Sequence, residues 1–360
     1  MNRKQRRQAA KSGGGTGNNS GASPQRPFAN AASISDRLLG LAGAQAKPGS
    51  AALPDAAASP AAFAADPVQS LLAAEKQKRQ REEEFSRQSR ALAENPDSLP
   101  LLRSLGQLAL RLDKRTEAQT IYARLHKLLP DDAEVAHMHA VLSGAAPAKP
   151  DPAYVAGLFD AFADTFDRTL THWLDYRAPK LVADAARAAL HGAKAANACD
   201  LGCGTGLLGP EIRDLCAYLS GIDLSPRMVE KARERKLYDA LEVAEIVAWL
   251  QARPKHFDQP RFDLLLAADV LAYFGALEEA FAAIRAALGP GGIFVATVEA
   301  DAIKADGFTA GKSGRYAHGE GYIRKTAAAA GLALQSLARE TLRQEDAKPV
   351  AGYVFVLSAG

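Results

Sequence analysis

The segment NACDLGCGTGLLG, residues 197–209, constrains the fold of this chain more than any other segment. Its four glycines, at positions 202, 204, 206 and 209, follow a short apolar run that contains an aspartate. Glycine adopts positive φ without strain and lets ligand atoms approach bare backbone. The loop opens into a predicted helix, whose free amides attract a small anion such as a carboxylate. The segment predicts a strand, a ligand-binding loop and a helix; a tight turn without a ligand is the alternative.

The glycine spacing excludes two common nucleotide-binding loops. A phosphate-binding loop needs a lysine after its last glycine, and none follows Gly206 or Gly209. The dinucleotide fingerprint needs glycines at relative positions 1, 3 and 6, but the sixth position counted from Gly202 is Leu207. What remains is an acid on the strand followed by three alternating glycines: Asp200, Gly202, Gly204 and Gly206.

Side chains further along the chain extend the candidate site. Asp223 ends the second predicted strand, where an ionised carboxylate accepts hydrogen bonds from both hydroxyls of a ribose. Ser225 is predicted to cap the next helix, and Met228, one turn into it, to pack beside a purine. Glu245 follows the third predicted strand and is a candidate acceptor for an exocyclic amine. These groups are predicted to lie at the carboxyl ends of strands, where open α/β sheets bind ligands.

From residue 197 onward strands alternate with helices, which predicts a mostly parallel sheet covered on both faces. Helices are expected at EIRDLCAYL, SPRMVEKARER and LEEAFAAIRAAL. The last two segments, LALQSLARETLR and VAGYVFVLSA, are joined by a short polar turn, so one strand of the sheet is expected to be antiparallel. The other strands are expected near Ala198–Leu201, Tyr218–Asp223, Glu242–Ile246, Asp263–Ala268 and Ile293–Glu299.

Composition divides the chain into four parts. Residues 1–65 begin with a basic cluster and are rich in Ala, Gly, Ser, Pro and Asn, so we expect a disordered, solubilising tail. Residues 66–143 are predicted to be helical and residues 144–152 to be a linker. Residues 153–360 carry the alternating strands and helices of an α/β domain.

Within the helical part, LRSLGQLALRLDKRTEAQTIYARLHKLLP has the spacing of a tetratricopeptide repeat. The small residues Gly106 and Ala118 let two antiparallel helices approach closely, although Leu102 and Ala109 replace the usual Trp and Tyr. One good repeat is fewer than the three or so expected of a stable array. The region is therefore expected either to cap the main domain or to bind a protein partner.

Charge and cysteine content narrow the class of protein. The formal net charge is +3, but five basic residues lie within the first eleven, so the remainder is slightly acidic. A slightly acidic body argues against nucleic-acid binding, which needs a basic face. The three cysteines, at 199, 203 and 216, are predicted to be buried thiols in a reducing cytoplasm. No apolar run approaches the roughly 20 residues that span a membrane, so a cytoplasmic protein is expected.

The motifs DLGCGTG, GIDLSPRM, AEI and DLLLAADVLAYF, with the closing strand pair, resemble those of class I S-adenosylmethionine-dependent methyltransferases. The resemblance covers residues 154–358 and implies a Rossmann-like, seven-stranded sheet with a reversed last strand. The chain as a whole resembles bacterial methyltransferases that carry tetratricopeptide repeats ahead of this domain.

The resemblance implies S-adenosylmethionine as the cofactor. The glycine loop would hold its methionine end, Asp223 its ribose and Glu245 its adenine, while residues 269–273 would line the floor near the methyl group. No carboxylate–histidine cluster indicates a metal. The predicted cofactor-binding residues are Asp200, Gly202, Cys203, Gly204, Thr205, Gly206, Asp223, Leu224, Met228, Glu245, Ile246, Asp269 and Val270.

Methyl transfer from a sulfonium is an in-line displacement, so holding the reacting groups in line within a dry pocket supplies much of the catalysis. A general base is needed only for a protonated, weakly acidic acceptor. Candidate bases or orienting groups are His318, Tyr316, Tyr273 and Asp269. His318 is expected in a loop between the fifth strand and the last helix, where a lone histidine is more often a solvated surface residue.

A small-molecule acceptor is favoured. ADVLAYF follows the fourth predicted strand, so the N/D-P-P-Y motif for methylating base or glutamine amino nitrogens is absent. A protein acceptor recruited through the helical repeat is one alternative. A non-catalytic module that senses the cofactor and docks a partner is another.

The segment Tyr154 to Phe166 is a candidate lid. Phe159, Phe162 and Phe166 are spaced so that they share one side of a helix. An aromatic helix over the cleft would exclude water during transfer. The alternative is that all three rings belong to the permanent core.

Overall fold

The computed structural model describes residues 67–145, 147–253, 261–345 and 348–360. The predicted disordered tail, residues 1–65, lies outside the described residues.

The first described part is helical, as predicted. Helices α2 and α3 are joined by only three residues and form an antiparallel pair. Their close approach depends on Gly106, because a Cβ atom there would lie 3.1 Å from Cε2 of Tyr122. Among the described residues, no helix combines the length and apolar composition that a membrane span requires. The helices are α1 (Pro67–Glu94), α2 (Leu99–Arg111), α3 (Arg115–Leu128) and α4 (Ala133–Leu142).

Three helices lead into the sheet. They are α5 (Pro152–Phe162), α6 (Phe166–Trp173) and α7 (Ala178–Leu190). Asp151 caps α5, since its carboxylate accepts a hydrogen bond from the Ala153 amide at 2.7 Å.

Nine described strands form one sheet. In its parallel part the order is β3-β2-β1-β4-β5; β9 then pairs antiparallel with β5, and β8 antiparallel with β9. The predicted mostly parallel sheet with an antiparallel end is therefore confirmed. The strands are β1 (Ala195–Leu201), β2 (Cys216–Asp223), β3 (Ala240–Val243), β4 (Phe262–Ala267), β5 (Leu288–Ala300), β6 (Phe308–Ala310), β7 (Tyr316–His318), β8 (Leu332–Glu345) and β9 (Lys348–Ala359).

Helices cover both faces of the sheet. Leu264 and Leu266 of β4 pack with α7 and α8, whereas Leu265 between them packs with α10, α11 and α12. Alternate residues of a strand point to opposite faces, so the core lies in two layers around a buried sheet. These helices are α8 (Gly209–Ile212), α9 (Pro226–Glu234), α10 (Ile246–Ala252), α11 (Glu278–Ala287) and α12 (Glu320–Ala329).

The sheet has two strands more than predicted. The segment expected to be a loop after β5 contains the hairpin of β6 and β7. β7 pairs in parallel with the end of β5, where Glu299 lies opposite Ala317. The hairpin thereby places residues 315–318 at the carboxyl end of the sheet.

Two local predictions were wrong. EIRDLCAYL is not one helix: α8 ends at Ile212, a single 3-10 turn follows, and β2 begins at Cys216. The apolar spacing there is helical, but pairing of Cys216 with Ala195 of β1 overrides it. The third strand ends at Val243, because Glu245 caps α10 by accepting a hydrogen bond from the Ala248 amide at 2.6 Å.

The helical part contacts the hairpin directly. His137 of α4 is 5% exposed, and its Nε2 lies 3.0 Å from the carbonyl oxygen of Gly314. Lys312 of the hairpin forms an ion pair with Asp113 at 3.2 Å. In the segment predicted to be a linker, the Ala148 carbonyl accepts hydrogen bonds from the amides of residues 275 and 276. The buried contact of His137 with Gly314 thus joins the helical part to the hairpin.

Candidate active site

A cavity of about 990 Å³, including its open mouth, lies at the carboxyl ends of the parallel strands. Helices α5 and α6 supply one wall and the ends of β1, β2, β4, β7 and β8 the others. The predicted cofactor-binding residues that line it are Gly202, Gly204, Leu224, Asp223, Glu245, Ile246, Asp269 and Val270.

The glycine loop is tied to the second strand. The amides of Gly202 and Cys203 both donate to the Ile222 carbonyl at 2.8 Å. Gly202, Gly204 and Gly206 have φ values of 72°, 53° and 83°, in the region that favours glycine. A Cβ atom on Gly202 would lie 2.5 Å from Cγ2 of Val270, so no side chain fits there. The backbone at Gly202 therefore allows a close approach that any side chain at this position would prevent.

Asp223 is fixed beside this loop. Its Oδ2 accepts a hydrogen bond from the Gly204 amide at 2.9 Å, and its Oδ1 accepts one from the Ser225 amide at 2.8 Å. A carboxylate has about four acceptor sites, so both oxygens can still accept a donor from the cavity. Burial raises the pKa of Asp223 to about 6. The ionised Asp223 carboxylate is therefore placed to accept hydrogen bonds from two hydroxyl groups.

The other predicted cofactor residues support the loop from behind. Asp200 is buried and accepts a hydrogen bond from the Tyr238 hydroxyl at 2.7 Å, and burial raises its pKa to about 7. Thr205 donates its hydroxyl hydrogen to Asp167 of α6, and Met228 is fully buried in α9. The predicted residues that do not line the cavity are Asp200, Cys203, Thr205, Gly206 and Met228. Met228 therefore does not pack beside a ligand in the cavity.

Asp269 stands at the end of β4 in a strained backbone conformation. Its φ is 60°, which is uncommon for a residue other than glycine. Its amide donates to Oγ1 of Thr297 at 2.8 Å, and its Oδ1 accepts a hydrogen bond from Arg315 at 2.6 Å. Such strain is often found where a fold positions functional groups.

The four candidate bases divide into two pairs. Tyr273 and Asp269 line the cavity, whereas Tyr316 and His318 are fully buried and do not line it. The expectation of a solvated loop for His318 was wrong, because this residue lies in β7 and its Nε2 is 3.0 Å from the Gly275 carbonyl oxygen. Burial lowers the pKa of His318 to about 4. The imidazole is therefore neutral near neutral pH.

Two buried arginines on the cavity floor lie in none of the motifs that predict the site. Arg315 comes from the hairpin and Arg343 from β8, and both line the cavity. Glu299 at the end of β5 accepts hydrogen bonds from Arg315 at 2.6 Å and from Arg343 at 2.7 Å. Burial opposes ionisation of Glu299, but the two guanidinium groups outweigh it and lower its pKa to about 2. An arginine in a polar segment is expected to be exposed, so the sequence does not predict that its side chain is buried.

The aromatic segment is divided between wall and core. Phe159 and Phe166 line the cavity, whereas Phe162 is fully buried. The ring centroid of Phe159 lies 5.2 Å from that of Tyr273 in an edge-on contact. Neither the lid hypothesis nor the core alternative describes all three rings.

Comparison with known proteins gives matches over part of the chain. The nodulation protein S of Sinorhizobium fredii is 32% identical over 93 residues, which are 26% of this chain and 39% of that protein. The chain thus matches well under half the length of this relative.

The similar solved structures are more distant in sequence. The N-methyltransferase NodS of Bradyrhizobium japonicum, solved with S-adenosylhomocysteine, is 19% identical with a TM-score of 0.40 and covers 55% of this chain and 97% of its own. The 1,6-didemethyltoxoflavin-N1-methyltransferase of Burkholderia thailandensis is 20% identical with a TM-score of 0.45 and covers 59% and 92%.

A family described as a methyltransferase domain matches residues 199–294. This stretch contains the glycine loop, Asp223, Glu245 and Asp269. Residues 199–294 therefore resemble a methyltransferase domain, as the motifs predict, and the cavity lies at the carboxyl ends of the parallel strands in this region.

Proposed function

We propose that this protein is an enzyme that transfers a methyl group from S-adenosylmethionine to a small-molecule acceptor. The observation that carries the proposal is the convergence of Gly202, Asp223 and Glu245 on one cavity within the methyltransferase domain. S-adenosylmethionine supplies a methyl group on a positively charged sulfur. The residues of this chain bind it, orient it and exclude water.

The lining residues fit the parts of this cofactor. The bare backbone at Gly202 and Gly204 accommodates the methionine end, and a Cβ atom at residue 202 would force this loop or Val270 to move. Asp223 accepts hydrogen bonds from the ribose hydroxyls. Glu245 and Ile246 lie beside the adenine, and Asp269 and Val270 face the methyl group.

The floor of the cavity favours a small acceptor. The side chain of Asp269 is 12% exposed, and Tyr273 is 8% exposed. A folded protein would have to insert a side chain deeply to reach this floor, whereas a small molecule enters whole. Phe159 and Phe166 form an apolar wall that keeps water from the reacting groups. Tyr273 and Asp269 are the candidate bases that line the cavity.

Labelled transfer tests this function. Full-length protein is incubated with methyl-labelled S-adenosylmethionine and a cell extract separated into small-molecule and protein fractions. We expect label in the small-molecule fraction, and much less of it there with Asp223→Asn. Label in protein would favour the alternative in which the helical region recruits a protein acceptor. Cofactor binding without label in either fraction would favour the sensing module.

The segment 154–170 should gain protection from hydrogen exchange when S-adenosylhomocysteine binds. Phe159 and Phe166 face the cavity and would contact the ligand, which reduces local opening of α5 and α6. Helix α7 does not line the cavity and is the internal control. Strong and equal protection of residues 154–170 with and without ligand would show that the segment is permanent core.

Cofactor affinity should fall in acid. The pKa of Asp223 is raised to about 6 by burial, and the protonated carboxyl is a poorer acceptor for two hydroxyls. Binding of S-adenosylhomocysteine should be constant above about pH 7 and weaken by roughly tenfold per pH unit below the pKa. Asp200→Asn should keep this profile, since Asp200 does not line the cavity. A flat profile in the unmodified protein would show that ionisation of Asp223 is not needed.

A further inference from the structure

The cavity floor carries a cluster of charged side chains that the donor site does not use. Arg315 and Arg343 both line the cavity, with side chains 6% and 2% exposed. Arg315 directly precedes β7 and Arg343 lies on β8, away from the glycine loop that follows β1 and from Asp223 on β2. Buried guanidinium groups are costly unless they are paired, so their partners decide what they can do.

Arg315 donates hydrogen bonds to three side chains and has further N–H groups that make no bond within the described part of the chain. Its Nε donates to Oε1 of Glu299 at 2.6 Å, its Nη2 to Oδ1 of Asp269 at 2.6 Å, and its Nη1 to the Tyr273 hydroxyl at 3.0 Å. A guanidinium carries five N–H groups. These bonds use three of them, so two have no partner among the described residues.

Arg343 completes the cluster from the neighbouring strand. Its Nε donates to Glu345 at 2.8 Å, and its Nη2 donates to Glu299 at 2.7 Å. Its Nη1 reaches Oδ1 of Asp269 only at 3.5 Å, which is too long for a strong hydrogen bond. The Nη1 of Arg343 is therefore also a donor that a better acceptor could satisfy.

The carboxylates fix the two guanidinium planes without using up their donors. Glu299 bridges Arg315 and Arg343 through a single oxygen, Oε1. Burial raises the pKa of Glu345, the carboxyl group that accepts a hydrogen bond from Nε of Arg343. Fixed guanidinium groups are suited to planar, bidentate recognition of carboxylate oxygens.

A tyrosine hydroxyl adds one more polar group. Tyr176 lines the cavity, and its hydroxyl has no hydrogen-bond partner among the described residues. Its position is set by backbone pairing with β8, since the Gln344 amide donates to the Leu174 carbonyl at 2.6 Å and the Arg177 amide to the Leu342 carbonyl at 2.8 Å. Tyr176 is thereby brought next to the strand that carries Arg343.

Apolar side chains complete this part of the cavity. Phe159, Phe166 and Leu170 line it from α5 and α6. A ligand matched to these surroundings has an apolar body and one end rich in oxygen acceptors.

We propose that Arg315 and Arg343 bind an anionic oxygen group of the carboxylate type on the methyl acceptor, whose apolar body lies against Phe159 and Phe166. This inference rests on the proposed function, because it identifies the class of acceptor. The alternative is that the two arginines only join the strand ends.

Three probes of nearly equal size and shape test the charge preference: benzoate, benzamide and benzylamine. Their binding to the full-length protein with saturating S-adenosylhomocysteine is measured by ligand-observed nuclear magnetic resonance, which needs no turnover. We expect benzoate to bind at least roughly tenfold more tightly than benzamide, and benzylamine more weakly still. Equal affinities, a preference for benzylamine, or no benzoate binding at about 10 mM would overturn the proposal.

Variants locate the preference on the arginines. Arg315→Gln should abolish the preference for benzoate, and Arg315→Lys, which keeps the charge but loses the planar fork, should reduce it at least roughly threefold. Lys312→Gln is the matched control, because Lys312 lies on the same hairpin and is 62% exposed. It should leave the preference unchanged. Should Arg315→Gln fail to fold, the unmodified protein and Arg315→Lys still decide.

The outcomes separate this proposal from the proposed function. Binding of S-adenosylhomocysteine without a benzoate preference would contradict only the anionic acceptor. A benzoate preference without methyl transfer to any fraction would instead contradict the enzyme function.

Discussion

Asp223→Asn should weaken S-adenosylhomocysteine binding by about 3 kcal/mol, or roughly 100-fold. The substitution removes the charge that strengthens hydrogen bonds from two ribose hydroxyls. It also replaces one acceptor oxygen by an NH₂ group, which is a donor. The amides of Gly204 and Ser225, which now bond to different oxygens, therefore cannot both keep their acceptor. Isothermal titration calorimetry of the purified full-length variant measures the loss.

Asp239→Asn is the matched control for this substitution. Asp239 also accepts a backbone hydrogen bond, from the Leu219 amide at 2.7 Å, but it does not line the cavity. Its variant should bind S-adenosylhomocysteine as the unmodified protein does. Equal affinity for Asp223→Asn and the unmodified protein would contradict the position given to the ribose.

Gly202→Ala should abolish measurable cofactor binding and lower the free energy of unfolding by about 2 kcal/mol. The residue has φ of 72°, and an added Cβ would lie 2.5 Å from Cγ2 of Val270. Relieving that contact moves either the loop or Val270, and both line the cavity. Thermal unfolding and calorimetry measure the two effects separately.

Gly291→Ala separates backbone strain from the steric contact. Gly291 has a similar φ of 70°, but a Cβ there would meet nothing within 4 Å. Its substitution should cost about 1 kcal/mol of stability and leave cofactor binding intact. Val270→Ala combined with Gly202→Ala should recover part of the binding, because it removes the atoms that the new methyl group meets. Equal behaviour of Gly202→Ala and Gly291→Ala would show that close approach at the loop is not used.

The part of the cavity lined by Gly202, Asp223 and Glu245 could be predicted because each of these residues lies in a short local motif. A positive-φ glycine, a strand-ending aspartate and a helix cap leave their marks within a few residues of Gly202, Asp223 and Glu245. The order of the parallel strands then brings these motifs to one edge of the sheet. Local chemistry and a common topology were sufficient there.

The cluster of Arg315, Arg343 and Glu299 on the cavity floor could not be predicted in the same way. Glu299 and Arg343 come from β5 and β8, Arg315 comes from the hairpin just before β7, and the three meet only through sheet pairing. β7 is only three residues long, and its sequence predicts a loop. His318 was misplaced for the same reason, since the pairing that buries it lies outside its own segment.

In the helical part, contacts between residues close in sequence could be predicted, whereas contacts between distant residues could not. The approach of α2 and α3 follows from Gly106, whose effect is local. Contact of His137 with Gly314, 177 residues apart, could not be inferred from a repeat pattern. The tetratricopeptide resemblance and the domain boundaries at residues 143 and 152 stay predictions.

Calorimetric titration of the full-length protein with S-adenosylhomocysteine, with NAD⁺ as comparator, tests the central claim most directly. The expected result is saturable binding of one S-adenosylhomocysteine per chain, weakened roughly 100-fold in Asp223→Asn, and no detectable heat from NAD⁺. Absence of S-adenosylhomocysteine binding, or tighter binding of NAD⁺, would contradict the claim that this cavity holds the methyl donor.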